Sequence, residues 1–196
     1  MFSVQDVKKL FPSMNMMNLV RWQEKGYILK LRNRWYAFND AQSSENIEWL
    51  AANLMYAPSY ISLHTALSWY NLIPEMIATT TSVTTRKTNK FSTPLGSFDY
   101  HRMKPELFGF GYVLEDMDSS AKKTSRQIMI ATPQKALLDF FYINSYYNSE
   151  KEIVDLRLNK AELGRVINTE FFQYLGKFEN RALESRIRKL TKLYNL

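Results

Sequence analysis

Proton-transfer chemistry in this chain would have to be assembled from His64, His101, Asp99, Glu106 and Asp139, because the sequence holds two histidines and no cysteine. Asp99 and His101 are two residues apart, so on a strand they share a side, and the carboxylate could orient the imidazole as a general base. The same pair serves equally well as a structural hydrogen bond. There is no His-Glu-x-x-His, no cluster of carboxylates at ligand spacing, no P-loop and no Gly-x-Gly-x-x-Gly. Gly109-Phe110-Gly111 is too short and too aromatic to cradle a phosphate. The sequence therefore predicts a protein that is not an enzyme, with no metal site and no cofactor.

Recognition of a polyanion is better supplied. Residues 1–40 hold seven Lys or Arg against three acids and residues 177–196 hold six against two, while the stretch between them is almost neutral. A basic head and a basic tail around a neutral body suit contact with nucleic acid at the ends, and solvated surface charge is the competing account. In the head, Asn15, Asn18, Arg21 and Lys25 fall on one side of a helical wheel, opposite Met16, Leu19, Val20 and Gln23, with Trp22 at the boundary. Asn pairs with adenine edges and Arg with guanine or phosphate, so that outer face has the groups a major-groove reader needs.

The elements that would position these residues follow from local signals. Ser3 caps a helix over residues 3–10, with Asp6 in its first turn and Lys8 and Lys9 in its last, and Pro12 ends it. A second helix spans residues 13–25 and stops at Gly26. The period then turns to alternation: Tyr27-Ile28-Leu29-Lys30-Leu31 and Trp35-Tyr36-Ala37-Phe38 read as strands. They are joined by Arg32-Asn33-Arg34, a turn containing a residue type that tolerates positive φ. That is a basic-tipped hairpin whose Lys30, Arg32, Asn33 and Arg34 would meet phosphates or the minor groove. Helix, turn, helix, Gly, strand, basic turn, strand is the order of a winged helix-turn-helix; its usual third helix is short, missing, or supplied by residues 44–55. A winged fold can also act purely as a protein-binding module.

Residues 39–46 are polar and aperiodic, which marks a linker ending in a Ser44 cap. The helix after it offers Ile47, Leu50, Ala51 and Leu54 to a core and breaks at Pro58. The expected division is a DNA-binding head over 1–40, a linker and connecting helix over 41–58, and a body over 59–196. In the body, Ser62 caps a helix with Leu63, Ala66, Leu67 and Tyr70 buried; residues 76–85 form a Thr-rich strand; and Arg86-Lys87-Thr88-Asn89-Lys90 form a basic loop. Short strands are expected at 91–94, 97–102, 111–114 and 126–131, and an apolar helix begins at Pro133. The fold class is α+β or α/β, a winged head followed by a mixed domain with a small, mostly antiparallel sheet and several helices.

Across residues 59–139 the chain resembles the AbiEi-type antitoxins of bacterial type IV toxin-antitoxin systems. The resemblance rests on Ser59-Tyr60-Ile61-Ser62-Leu63, Leu72-Ile73-Pro74-Glu75, the Thr-rich strand and its basic turn, Thr93, Gly96, Phe98, Tyr100 and His101. It closes on an aromatic Phe-Gly turn and Pro133-Gln134-Lys135-Ala136-Leu137-Leu138-Asp139. It implies an antitoxin that represses its own operon and counteracts a nucleotidyltransferase-like toxin in abortive infection and phage defence. Its partners would be operator DNA, that toxin, with direct contact left open, and a second copy of the chain on DNA. A free-standing winged-helix regulator with a ligand-sensing or oligomerising body is the alternative.

Four helix-compatible segments follow, at 149–156, 160–167, 169–178 and 181–194. In the last, Leu183, Ile187, Leu190 and Tyr194 form a stripe with Arg186, Arg188, Lys189 and Lys192 elsewhere. Arg86, Lys87, Lys90, Arg186 and Lys189 are the candidate partner-binding residues, while snorkelling side chains on a capping helix explain the last two equally well. No window is apolar enough for a membrane span and the first residues lack the order of a signal peptide, so a bacterial cytoplasmic location without membrane contact is expected.

Overall fold

The computed structural model describes residues 1–40, 47–116 and 127–196. The expected Ser44 cap and most of the polar linker lie outside these residues.

The chain opens with a two-residue strand, β1 (Phe2–Ser3), that runs straight into α1 (Val4–Leu10). Ser3 and Asp6 form a reciprocal capping box: the Asp6 amide donates to Ser3 Oγ at 3.2 Å and the Ser3 amide to Asp6 Oδ2 at 2.7 Å. α2 (Met17–Glu24) begins four residues later than the wheel suggested. The Asn15 side chain accounts for the delay, because its Oδ1 accepts from the Met17 amide at 2.9 Å just ahead of the first helical turn. α2 ends in a Schellman motif: Tyr27 N–H donates to Trp22 O, Gly26 N–H donates to Gln23 O, and Gly26 takes φ +70°. β2 (Ile28–Arg32) and β3 (Trp35–Phe38) follow, and the head sheet is antiparallel in the order β1-β3-β2. Arg34, not Asn33, adopts the positive φ in the connecting turn, at +70°. Leu19, Ile28 and Tyr36 form the small head core. Val20, expected inside with Leu19, is exposed, while Leu19 is buried.

α3 (Ile47–Met55) joins the two halves. Its Ala51, Ala52 and Met55 pack with Leu31 and Ala37 of the head sheet and with Phe98 and Tyr100 of the body, in one cluster. Leu54, expected inside, is exposed, and Trp49 is buried in its place.

The body is built on a six-stranded sheet in the order β6-β7-β5-β4-β9-β8. Its strands are β4 (Ser59–Ile61), β5 (Thr79–Thr84), β6 (Asn89–Thr93), β7 (Gly96–Arg102), β8 (Tyr112–Asp116) and β9 (Gln127–Ala131). The sheet is mixed rather than small and mostly antiparallel: β5 runs parallel to β7 and β4 parallel to β9. Strand patterns show where strands lie, whereas these two pairings join segments far apart in the chain. β4 itself is too short to show an alternating pattern.

α3 covers one face of the sheet: Ser59 Oγ and Tyr100 OH both donate to Ala52 O. α4 (Leu63–Trp69) and α6 (Pro133–Ile143) cover the other. α5 (Pro105–Phe108) is a single turn before β8. α7 (Glu150–Asp155), α8 (Lys160–Val166), α9 (Thr169–Lys177) and α10 (Arg181–Tyr194) complete the chain close to their expected limits. Ser149, Asn159, Asn168 and Asn180 cap them in turn. Phe140, Phe141, Phe171, Leu183 and Leu190 are fully buried in the main core, each contributing roughly 1.5–3 kcal/mol of burial. Among the described residues no helix is long and apolar enough to cross a membrane.

Candidate nucleic-acid interface

On α2, Arg21 and Lys25 are exposed, and so is Asn15, although its Oδ1 is committed to the Met17 amide. Asn18 is half-buried. It lines the rim of an apolar groove of about 770 Å³ together with Leu10, Phe11, Met14, Trp22 and Phe38. At the hairpin, Lys30, Asn33 and Arg34 are exposed. Among the described residues none of these cations is in an ion pair with a carboxylate, the four such pairs lying elsewhere.

Arg32 is placed differently from its neighbours. Its Nη1 donates to the Met55 carbonyl at 2.9 Å, and its guanidinium lies 4.1 Å from the Phe91 ring centre and 5.0 Å from that of Tyr56. A side chain expected at a free wing tip is instead stacked between the head and the body. A register shift between Lys30 and Arg32 in the β2–β3 ladder accompanies this placement. Arg86 approaches the same Tyr56 ring at 5.2 Å, and Tyr56 OH donates to Lys87 O at 3.0 Å. Lys90, expected in the basic loop, belongs to β6 and pairs with Asp99 at 2.7 Å.

The C-terminal candidates are drawn inward. Arg186 is only 6% exposed, its Nε has no acceptor among the described residues, and burial pushes its guanidinium pKa down; a residue expected outside the Leu183–Tyr194 stripe is drawn into the core. Lys189 donates to the backbone carbonyl of Asn148 at 2.6 Å and ties α10 to the start of α7.

The acid–base candidates separate into two groups. Asp99 and His101 share a face as expected, on the side opposite Phe98 and Tyr100, but Asp99 is engaged by Lys90. His64 packs edge-on to Phe140 at 4.9 Å, and burial lowers the pKa of both histidines. Among the described residues no group of three His, Asp or Glu could hold a metal.

Asp139 makes its contacts with other residues. It lies fully buried in α6 and accepts from Lys135 Nζ, from Tyr60 OH at 2.9 Å and from Ser62 Oγ at 2.9 Å. Lys135 Nζ also donates to Tyr60 OH at 2.9 Å and is surrounded by the rings of Phe110, Phe178 and Tyr60 at 5.0–5.4 Å. Burial pushes the Asp139 carboxyl up and the Lys135 amine down, and their mutual attraction opposes both shifts. Burial likewise raises Tyr60 well above the usual phenol range. Ser62 sits at the N-cap of α4, yet its hydroxyl serves Asp139 rather than the helix. With every member enclosed, this network holds α6 against β4 and offers nothing to a substrate. The i, i+4 spacing of Lys135 and Asp139 in an apolar helix is the local sequence signal for the pair.

A cleft of about 610 Å³ opens beside the Trp49–Trp69 edge-to-face pair, whose ring centres are 5.0 Å apart; Glu48, Thr65, Ser68, Asn71, Thr80 and Ser97 supply its polar lining. No family model and no curated protein matches this chain.

Proposed function

We propose that this protein binds DNA through its head and represses its own promoter, as the antitoxin of a type IV system that counteracts a nucleotidyltransferase-like toxin. One observation carries the DNA half. Arg21 and Lys25 on α2 and Lys30, Asn33 and Arg34 on the hairpin are all exposed, and none is paired with a carboxylate among the described residues. A short helix followed by a basic antiparallel hairpin is how winged helix-turn-helix proteins offer side chains to a groove and to phosphates. The toxin half rests on the ordered motifs of residues 59–139 that resemble AbiEi-type antitoxins.

The cleft beside Trp49 and Trp69 favours a second reading, a free-standing regulator whose body senses a small ligand. A nucleotidyltransferase-like reading frame next to this gene supports the antitoxin, and its absence supports the regulator.

The DNA half is tested by Asn18→Ala and Arg21→Ala, assayed on the promoter upstream of the chain's own gene. Each should weaken binding by about 1–3 kcal/mol while the fold persists, as expected of groups that read base edges. Unchanged affinity in both folded variants would remove α2 from the recognition role.

A further inference from the structure

We infer that the cleft beside Trp49 and Trp69 is a binding site for a small quaternary ammonium ion, held between two aromatic walls and the Glu48 carboxylate. The inference deepens the ligand-sensing reading of the body, on which it rests, and is independent of what the head binds. The cleft opens where the start of α3, the end of α4 and the turn between β6 and β7 meet. At about 610 Å³ it is the size of a small-ligand pocket, for which roughly 300–1,000 Å³ is usual. Glu48 is the one charged residue in its lining, and among the described residues no cation pairs with that carboxylate.

The walls suit a cation. Trp49 is 9% exposed and anchored in the main core, whereas Trp69, the last residue of α4, is 51% exposed. Their planes meet at 78°, so the two rings form a corner rather than a flat platform. The face of an aromatic ring carries negative potential and attracts an ammonium group, most strongly when the ring is Trp, and aromatic cages take quaternary ammonium ligands in this way. The half-buried side chains of Ile77 and Leu95 add apolar surface against which N-methyl groups can pack.

The lining disfavours other classes of ligand. An anion would meet Glu48 as a like charge, with no Lys, Arg or His in the lining to offset it. A nucleobase stacks flat on one open ring face and is read by free donors and acceptors around its edge. Here Thr65 Oγ1 donates to the Thr79 carbonyl at 3.3 Å and Ser68 Oγ to the Glu75 carbonyl at 2.8 Å, so both of these donors are used within the fold. A quaternary ammonium ion has no N–H to satisfy and asks only for negative potential and apolar contact, which Glu48, the two indoles and the aliphatic side chains supply.

The test is calorimetric titration of the full chain with choline and with its neutral carbon analogue, in which a tert-butyl group replaces trimethylammonium. Choline should bind about 5- to 30-fold more tightly than the analogue, the factor expected of a desolvated cation–π contact. Glu48→Gln should weaken choline about ten-fold and leave the analogue unchanged, because only the charge is removed. If that variant does not fold, Trp69→Leu, at an exposed position, should lower choline affinity by about 5- to 30-fold instead. Choline should also move the indole N–H resonances of Trp49 and Trp69 and leave those of Trp22 and Trp35 in place. Equal affinity for choline and its analogue, no choline binding up to about 10 mM, or resonance shifts confined to Trp22 and Trp35 would each overturn the site. Promoter affinity with and without choline tests the sensing reading separately. If choline binds as expected and promoter affinity does not change, the ammonium site stands and the sensing role falls.

Discussion

Replacing Lys135 by Met keeps the length and the apolar stem of the side chain but removes the charge opposite Asp139. The carboxylate is fully buried and retains only the hydroxyls of Tyr60 and Ser62, each at 2.9 Å. Breaking a buried ion pair from one side costs about 3–5 kcal/mol, because the remaining charge has no compensation. Against a total stability on the order of 5–15 kcal/mol for a domain, that is a large fraction. The loss has a sign in pH. Burial already holds the folded Asp139 pKa above its ordinary value of 3.8, and without Lys135 nothing of opposite charge restrains it. A carboxyl with a raised folded pKa binds its proton more tightly folded than unfolded, so the penalty vanishes in acid. It grows as pH climbs from about 4 through the folded pKa and is constant above it. Lys135→Met should therefore lie closest to wild type in acid and furthest at neutral pH. Urea unfolding read by the fluorescence of the four tryptophans would measure this. The Lys135→Met/Asp139→Leu double variant should recover most of the loss, because an apolar pair leaves no charge unpaired. It also keeps the test open if the single variant does not fold. A loss below about 1 kcal/mol, equal at pH 4.5 and 7.5, would refute the reasoning.

Four further substitutions, at Gly111, Gly26 and Arg32, probe how the elements are held. Gly111→Ala should cost about 2–4 kcal/mol, since Gly111 has φ +71° and an added Cβ would lie 2.9 Å from Lys135 Cβ. Gly26→Ala, at φ +70° in open space, should cost only about 1–2 kcal/mol in the same denaturation assay. Arg32→Ala should destabilise the chain by about 1–3 kcal/mol through the lost ring stacking and the lost bond to Met55 O. Arg32→Lys should recover only part of that loss, because an ammonium cannot stack as a planar guanidinium does.

Much of the element order was legible in the sequence, because helix caps and glycine stops act within a few residues. Ser3 with Asp6, Gly26 after α2 and Asn180 before α10 each set a boundary by a local hydrogen bond. What the sequence did not show depends on partners distant in the chain. The parallel pairing of β4 with β9 brings Ile61 opposite Ile130, and no local pattern encodes that choice. Arg32 looked like a wing-tip residue because its neighbours are Asn33 and Arg34, yet the Phe91 ring and the Met55 carbonyl come from other elements and claim it. Arg186 sits three residues after Leu183 and one before Ile187 and is carried into the core with them, a placement a simple wheel puts at the edge of the stripe.

The same distinction bears on what the resemblance to AbiEi-type antitoxins can mean. Of its motif residues, Tyr60, Ser62, Phe98, Tyr100, Lys135 and Asp139 are all buried, and the aromatic turn at Phe110 and Gly111 closes over Lys135. Tyr60, Ser62, Lys135 and Asp139 make one another's hydrogen bonds and hold α6 against β4, while Phe98 and Tyr100 pack against α3 on the opposite face of the sheet, so these groups specify how the body is held rather than what it touches. On the proposed reading, recognition falls to side chains outside that set. The candidates are Arg21 and Lys25 on α2, Asn33 and Arg34 at the turn, and Arg86 and Lys87 beside Tyr56, all of them exposed. In such a design, substitutions in the motif change stability first and binding only through it, while substitutions in the exposed basic groups change binding with the fold intact.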